Sequence, residues 1–360
     1  MRIAIIANSS TGLFNFRQEL IQQLKEKNNE VIAITPDNGK IDELKEIGCR
    51  IVEVPVDRRG MNPIKDFSVL CQYIRLLKRE KPDLVVTYTI KPNIYGGIAC
   101  RVLNIPYAGN ITGLGTAFQN NGILKRMVVF LYKKAFKKVK TVFFENVENR
   151  DIFVKEGIVS QTKTCVLAGA GVNLDRFILE DYPIGGTIKF LFMGRVMQEK
   201  GINELFRAMK MLVDDNLNVH LDVLGGYEEE YQSIIKEGEE QGWLTYHGYQ
   251  SDVKPFIKES HCFVLPSWHE GMANTNLESA AMGRPIITSN IHGCLEAVID
   301  GKSGYLAERK NADDLYRAMK KFVQLSHDKR KMMGIEGRKH MEEQFDKNKV
   351  VSITVDELLK

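Results

Sequence analysis

Two carboxylates, Glu270 and Glu278, stand with seven residues between them in a stretch that reads as a loop running into a helix. The apolar run Cys262 to Leu265 predicts a buried strand, Pro266 to Ala273 the turn leaving it, and Thr275 to Met282 a short helix closed by Gly283 and Pro285. Glu270 then precedes the helix, and Glu278 falls in its first turn. The backbone N–H groups of Gly271, Met272, Ala273, Asn274 and Thr275, and on to Asn276, would carry the positive end of the helix dipole, which suits phosphate oxygens. Carboxylates beside a phosphate repel it, so their chemistry is to accept hydrogen bonds from hydroxyl groups. The pattern fits a ligand that is anionic and polyhydroxylated. The same residues also spell a capping box, Thr275 with Glu278, which would leave Glu270 a solvated turn residue.

A cationic pair supplies the second half of that chemistry. Ile188 to Met193 reads as a strand, and Gly194, Arg195 and Lys200 follow in the loop before an amphipathic helix with Leu205, Ala208, Met209 and Leu212 on one face. Loops at the carboxyl ends of parallel strands are where open α/β sheets collect ligands, and the Pro266 to Ala273 loop should emerge on the same rim. Each charge-assisted hydrogen bond from Arg195 or Lys200 to a pyrophosphate would contribute about 1.5–3 kcal/mol. Either cation alone also reads as an ordinary solvated side chain.

Together, the Gly194 to Gly201 segment, the Glu270/Glu278 element and the run Gly293 to Tyr305 resemble the retaining glycosyltransferases of family 4, which have the GT-B fold. The segments Phe14 to Arg17, Thr89 to Gly96 and Thr112 to Gly115 look like the branch that builds bacterial capsule, O-antigen and lipid-linked glycans. The resemblance implies catalytic roles for Arg195, Lys200 and Glu270. The two cations would hold the donor diphosphate and stabilise the charge that grows on it, Glu270 would hold the donor sugar with the amides from Gly271 behind it, and Glu278 would hold ribose hydroxyls. It also implies that Gly12, in the turn after the first strand, lets backbone approach phosphate or acceptor. Lys91, Thr112 and Gly113 fall on the acceptor or sugar side. Many relatives carry a histidine where this chain has Thr112, and a threonine does not replace a histidine base at neutral pH. Retaining transfer without a nucleophile implies a front-face reaction in which the leaving diphosphate takes the acceptor proton. The chain has no Asp-x-Asp motif, and a metal-independent reaction with no cofactor beyond a UDP-sugar donor is expected.

The elements needed to position these residues are legible as two restarts of one pattern. Short apolar runs from Arg2, Val31, Arg50, Leu84, Tyr107 and Thr141 alternate with helix-length segments. The alternation begins again at Ile188, Asn218, Leu244, Cys262 and Pro285. The fold class is therefore α/β, with two doubly wound Rossmann-like domains and a ligand cleft between them, which the resemblance implies is GT-B. The domains are expected at residues 1–170 and 171–347, with 168–187 as linker; the resemblance implies that the first is the acceptor side and the second binds the nucleotide sugar, and that helix 348–359 packs back on the first. At 360 residues, two domains are the expected number.

Charge and composition bound the partners. Residues 1–170 hold 26 Lys and Arg against 16 Asp and Glu, and residues 171–360 hold 24 against 30, so the net charge of +4 divides into +10 and −6. Much of the excess lies in helix 122–140, where Lys125, Arg126, Lys133, Lys134, Lys137, Lys138 and Lys140 interleave with Ile123, Leu124, Met127, Val128, Phe130, Leu131 and Tyr132. That reads as contact with an anionic membrane surface, or as a core helix with a solvated basic face. Nucleic acid is not an expected partner, because no reading module is present. The six cysteines are scattered without a Cys-x-x-Cys pair, and no apolar run reaches the ~18–20 residues of a spanning helix. The expected location is cytoplasmic, peripheral on the inner face of the plasma membrane. The expected reaction moves a hexose or N-acetylhexosamine from a UDP-sugar to a polyprenyl-diphosphate-linked saccharide. The alternatives are a UDP-sugar epimerase of the same architecture and a catalytically silent nucleotide-sugar-binding protein. A dinucleotide oxidoreductase lacks its Gly-x-Gly-x-x-Gly after the first strand.

Overall fold

The computed structural model describes residues 1–55, 63–115, 118 and 122–360. The chain forms two compact units, one of residues 1–170 with 348–360 and one of residues 171–347.

The first unit is built on a seven-stranded sheet, all of whose pairings are parallel: β1 (Arg2–Ile6), β2 (Glu30–Thr35), β3 (Arg50–Glu53), β4 (Leu84–Tyr88), β5 (Tyr107–Ile111), β6 (Thr141–Phe144) and β7 (Thr164–Val166), in the order β3-β2-β1-β4-β5-β6-β7. Successive residues point to opposite faces, and both faces are covered, which is why these strands read as continuous apolar runs. Ile3, Ile5, Val31, Ala33 and Val86 pack with Leu13, Leu20 and Leu24 of the helix Ser10–Glu26 and with Val351, Val355 and Leu358 of the C-terminal helix Lys347–Leu359. On the opposite face, Ala4, Ile6, Ile32, Val85 and Val142 pack with Tyr73 and Leu77 of the helix Pro63–Glu80 and with Val128 and Tyr132 of the helix Ile123–Ala135.

The second unit has a six-stranded sheet whose pairings are likewise all parallel: β8 (Ile188–Met193), β9 (Val219–Leu224), β10 (Leu244–Gly248), β11 (Cys262–Leu265), β12 (Ile286–Ser289) and β13 (Gly304–Ala307), in the order β10-β9-β8-β11-β12-β13. Both units are thus Rossmann-like, each with its strand order reversing beside the first strand, at β1/β4 and β8/β11. Such a switch point opens a crevice at the carboxyl ends of the strands.

Three readings need adjustment. β7 and β13 escape the sequence pattern because both are very short edge strands, β7 half-exposed and β13 buried but opening on a glycine, so neither leaves an apolar run. The segment expected as a linker has no regular structure, yet from Gly171 onward it is fastened to the second unit. There the buried Arg284 donates to the carbonyls of Asp181, Ile257 and Lys258, and the Tyr182 hydroxyl donates to His261 O. The basic helix ends at Ala135, before a 3₁₀ turn at Phe136–Lys138, rather than running to residue 140.

Candidate active site

Two loops at the carboxyl rim of the second sheet are held together by backbone before any side chain is considered. The loop after β8 is pinned to the loop after β9 by Gly194 N–H to Leu224 O (2.9 Å) and Val196 N–H to Gly226 O (2.9 Å). It then turns through a 3₁₀ segment, Gln198–Lys200, into Gly201. Gly201 has φ +73°, and a Cβ there would lie 2.0 Å from Pro266 O, so only glycine lets this loop lie against the exit of β11. Trp268 N–H completes the seam by donating to Glu199 O at 2.9 Å.

That seam presents Lys200 to Glu270. The ammonium contacts Glu270 Oε1, which also accepts from Ser267 Oγ at 2.8 Å, and the two charged side chains are only 19% and 13% exposed. Arg195 is more open, 40% exposed, with Glu228 at 3.8 Å. His269 lies in the field of all of them: burial lowers its pKa, Glu199 and Glu270 oppose that shift, and Lys200 and Arg195 add to it. The imidazole itself lies against Glu199, His269 Nε2 to Oε2 at 3.8 Å.

Glu278 departs from expectation. The helix spans Asn274–Ala281 with Ala273 as its cap, so Glu278 is its fifth residue rather than a first-turn residue. No capping box forms, because the Ala273 carbonyl, not a Thr275 side chain, engages Asn276 N–H and Leu277 N–H. Burial pushes the Glu278 carboxyl up to about 7 against the opposing pull of Arg176 and Lys347. Those cations, not Arg195 and Lys200, are its electrostatic neighbours.

The amides at the helix start are only partly available. Ala273 N–H donates to Gly293 O at 2.7 Å and Asn276 N–H to Ala273 O at 2.9 Å, which withdraws two expected donors. Asn274 and Thr275, the first two helical residues, lack intrahelical acceptors for their amides. The helix is fixed from below by Asn276 Nδ2 to Thr288 Oγ1 (3.1 Å) and Thr288 Oγ1 to Leu265 O (2.7 Å). Gly293, φ +89°, sits where a Cβ would come within 2.7–2.8 Å of the Glu270 and Gly271 carbonyls. Glu296 holds that glycine, its carboxylate accepting from Gly293 N–H at 2.7 Å and pairing with His292 Nδ1 at 2.8 Å. Met272 and Ala273 are buried in the loop. Sequence reasoning passed over Glu199, Ser267, His269, Arg176 and Lys347. Of these, Ser267 and His269 had a signal in their closeness to Glu270, whereas Arg176 and Lys347 come from remote segments.

In the first unit, Gly12 is the third residue of the helix Ser10–Glu26, and its N–H is taken by the Ser9 cap at 3.1 Å. That amide serves the helix cap, since Ser9 is a favoured N-cap residue. Thr112 and Gly113 are half-buried just beyond β5, and Gly113 has φ +151°. Lys91 forms an ion pair with Asp66 at 3.0 Å. On the basic helix, Ile123 (86% exposed), Met127 and Phe130 (57%) face outward among Arg126, Lys133 and Lys134, while Lys125 pairs with Glu156 at 3.2 Å. Among the described residues, no group of three or more His, Cys, Asp or Glu is close enough to hold a metal ion, and no helix is long and apolar enough to cross a membrane.

Two Rossmann-like units of this kind define the GT-B class. The likeness to solved structures spans the chain: Anabaena HepE, solved with UDP and glucose, superposes with a TM-score of 0.83 at 14% identity, covering 100% of both chains. A glycosyltransferase from Rickettsia africae gives 0.79 at 18% identity, covering 100% of this chain and 98% of that one. In sequence, residues 2–146 match the family described as glycosyl transferase 4-like, and residues 176–340 match glycosyl transferases group 1. The chain is 28% identical to the Campylobacter jejuni N,N'-diacetylbacillosaminyl-diphospho-undecaprenol alpha-1,3-N-acetylgalactosaminyltransferase, over 88% of this chain and 87% of that enzyme. It is 26% identical to the Staphylococcus aureus capsular polysaccharide biosynthesis glycosyltransferase CapM, over 90% and 88%. Identity to the Escherichia coli UDP-Gal:alpha-D-GlcNAc-diphosphoundecaprenol alpha-1,3-galactosyltransferase is 27%, over 83% and 81%. The chain is a family 4-like glycosyltransferase of the GT-B fold, related to enzymes of bacterial polysaccharide and lipid-linked glycan biosynthesis.

Proposed function

We propose that the protein transfers a hexose or N-acetylhexosamine from a UDP-sugar to a polyprenyl-diphosphate-linked saccharide, with retention at the anomeric carbon. The observation that carries this reading is the Lys200–Glu270 contact at the carboxyl rim of the second sheet, beside the start of the helix Asn274–Ala281. A donor diphosphate takes Lys200, Arg195 and the Asn274 and Thr275 amides as its counter-charges. Glu270, released from Lys200 and steadied by Ser267, then accepts hydrogen bonds from the sugar hydroxyls. Glu278 is assigned to the ribose hydroxyls.

In the reaction, the bond between the sugar C1 and the β-phosphate oxygen breaks, and the acceptor hydroxyl oxygen bonds to C1 on the same face. The acceptor proton passes to the departing phosphate oxygen, so charge and atoms balance without a protein nucleophile. Lys200 and Arg195 are placed to stabilise the negative charge that builds on the diphosphate, usually the largest catalytic contribution. No metal is assigned a role.

The acceptor rests on two relatives whose names carry a diphospho-undecaprenol saccharide and on the helix Ile123–Ala135, whose exposed Ile123, Met127 and Phe130 and surrounding cations suit an anionic leaflet. The protein would then work in the cytoplasm, peripherally on the inner face of the plasma membrane. Proton NMR of the protein with UDP-glucose, UDP-galactose and their N-acetyl forms, with and without a short-chain prenyl-diphosphate-linked N-acetylglucosamine, tests the reading. The expected result is a new α-anomeric signal only with acceptor and slow release of free sugar without it. Rapid interconversion of the UDP-sugars without acceptor would replace this reading with an epimerase.

A further inference from the structure

We infer that Arg309 and Lys310, with the indole of Trp268, form a clamp that sets Glu270 for the sugar of the donor, which makes Lys310 a positioning residue for donor recognition. The inference rests on the transferase reading, in which Glu270 accepts from the sugar hydroxyls, and it gives that carboxylate a support from a segment far downstream.

Trp268 stands in the chain between the two side chains that meet at the rim carboxylate, the buried Ser267, whose hydroxyl donates to Glu270 Oε1 at 2.8 Å, and Glu270 itself. A rotation of the Trp268 backbone therefore displaces donor and acceptor of that bond together. Three contacts oppose the rotation, and they come from two separate segments. Trp268 N–H donates to Glu199 O at 2.9 Å, and Arg309 Nη1 donates to Trp268 O at 3.4 Å. Lys310 Nζ stands over the indole, 4.0 Å from the ring centroid, inside the ~6 Å at which a ring face attracts a cation, and tryptophan offers the best such face. A buried indole N–H usually finds a partner, but Trp268 Nε1 is buried and meets no acceptor among the described residues. The ring is thus held by its face rather than by its nitrogen.

The turn that carries the two cations is itself closed by side chains. After β13, Glu308 N–H donates to Asp314 Oδ2 (2.7 Å) and Asn311 Nδ2 to Glu308 Oε2 (2.7 Å), while Asn311 Oδ1 caps the helix Ala312–Val323 by accepting from Asp314 N–H (3.0 Å). Lys310 lies inside this turn with φ +62°, a left-handed conformation uncommon for a residue with a side chain. An exposed lysine is in this way aimed at one ring. Arg195 has a different support, since the loop after β8 is bonded to the loop after β9 through Gly194 and Val196, and Gly201 fixes Lys200 against Pro266, upstream of the clamp. Loss of Lys310 should therefore loosen Glu270 while the diphosphate contacts stay in place.

Calorimetric titration of the full chain with UDP, and with UDP-glucose, UDP-galactose and their N-acetyl forms, tests the clamp in wild type, Lys310→Ala and Lys310→Arg. In Lys310→Ala, affinity for the UDP-sugar that wild type binds best should fall about fivefold, the size of one exposed cation–π contact, while affinity for UDP stays within about twofold. Lys310→Arg keeps a cation for the ring and should restore the sugar-dependent affinity. Lys310 is exposed, so its replacement leaves the core untouched. A merely structural role would weaken UDP and UDP-sugar alike. Equal loss for both ligands, no loss for either, or failure of Lys310→Arg to restore binding would overturn the clamp and leave the transferase reading standing. If wild type binds neither UDP nor any of the four UDP-sugars, the transferase reading is overturned, and the clamp with it.

Discussion

Lys200 and Glu270 hold each other in contact, so a diphosphate that recruits Lys200 must compete with a carboxylate. That competition is useful to a transferase, because each partner keeps the other placed until the donor separates them. Lys200→Ala and Arg195→Ala should each lower turnover by about 10²-fold, by analogy with removing one oxyanion donor, with melting temperature little changed. Steady-state rates at saturating donor check this, and near-normal rates in both variants would remove the two cations from the mechanism. Glu278 invites a different measurement. Its carboxyl is pushed up to about 7 by burial, above the value of 4.5 usual for a glutamate. As pH rises from about 4.5 to 7, the unfolded chain releases this proton while the folded chain keeps it, so folding stability falls across that window. Glu278→Gln should remove the fall and be more stable than wild type at pH 8, by on the order of 2 kcal/mol once partial exposure is allowed for. Urea unfolding at pH 5 and pH 8 reads the difference directly.

At the scale of elements, the glycine turns decide whether these residues meet. Gly201→Ala sets a methyl 2.0 Å from Pro266 O in a left-handed turn, and should cost about 1–3 kcal/mol while loosening the Lys200–Glu270 contact. A lower melting temperature together with weakened nucleotide binding is the expected pair of results; an unchanged melting temperature would show that the turn relaxes freely. For the basic helix, replacing Lys133, Lys134, Lys137 and Lys138 with Gln should weaken sedimentation with anionic liposomes at least tenfold. Each cation near such a surface is worth on the order of 1 kcal/mol, and the binding should be salt-sensitive. Unchanged sedimentation would make this face an ordinary solvated one. The central strands and the loop positions of Arg195, Lys200 and Glu270 were legible because buried strands leave continuous apolar runs and their exits carry glycine. β7 and β13 were not, because edge strands need no such run. Nor were Arg176 and Lys347, which reach Glu278 only through tertiary folding. The Ser9 cap on Gly12 N–H was likewise not read from the sequence, although Ser9 is a favoured N-cap residue.

For the molecule as a whole, the two halves of the sequence differ in charge, +10 against −6. The first, with its net excess of Lys and Arg, presents the helix Ile123–Ala135 with Ile123, Met127 and Phe130 exposed among its cations. The second brings Lys200 and Glu270 together at one rim of its sheet, with Arg195 beside Glu228 in the same loop region. Relatives that match most of the chain are named for capsular polysaccharide biosynthesis and for sugar transfer to diphospho-undecaprenol saccharides. The central claim is that the rim formed by Arg195, Lys200 and Glu270 grips a nucleoside diphosphate sugar. Calorimetric titration of UDP into wild type and Lys200→Ala tests it most directly: saturable one-to-one binding by wild type, weakened at least tenfold by the substitution, is the predicted result, and equal affinity for the two proteins would contradict it.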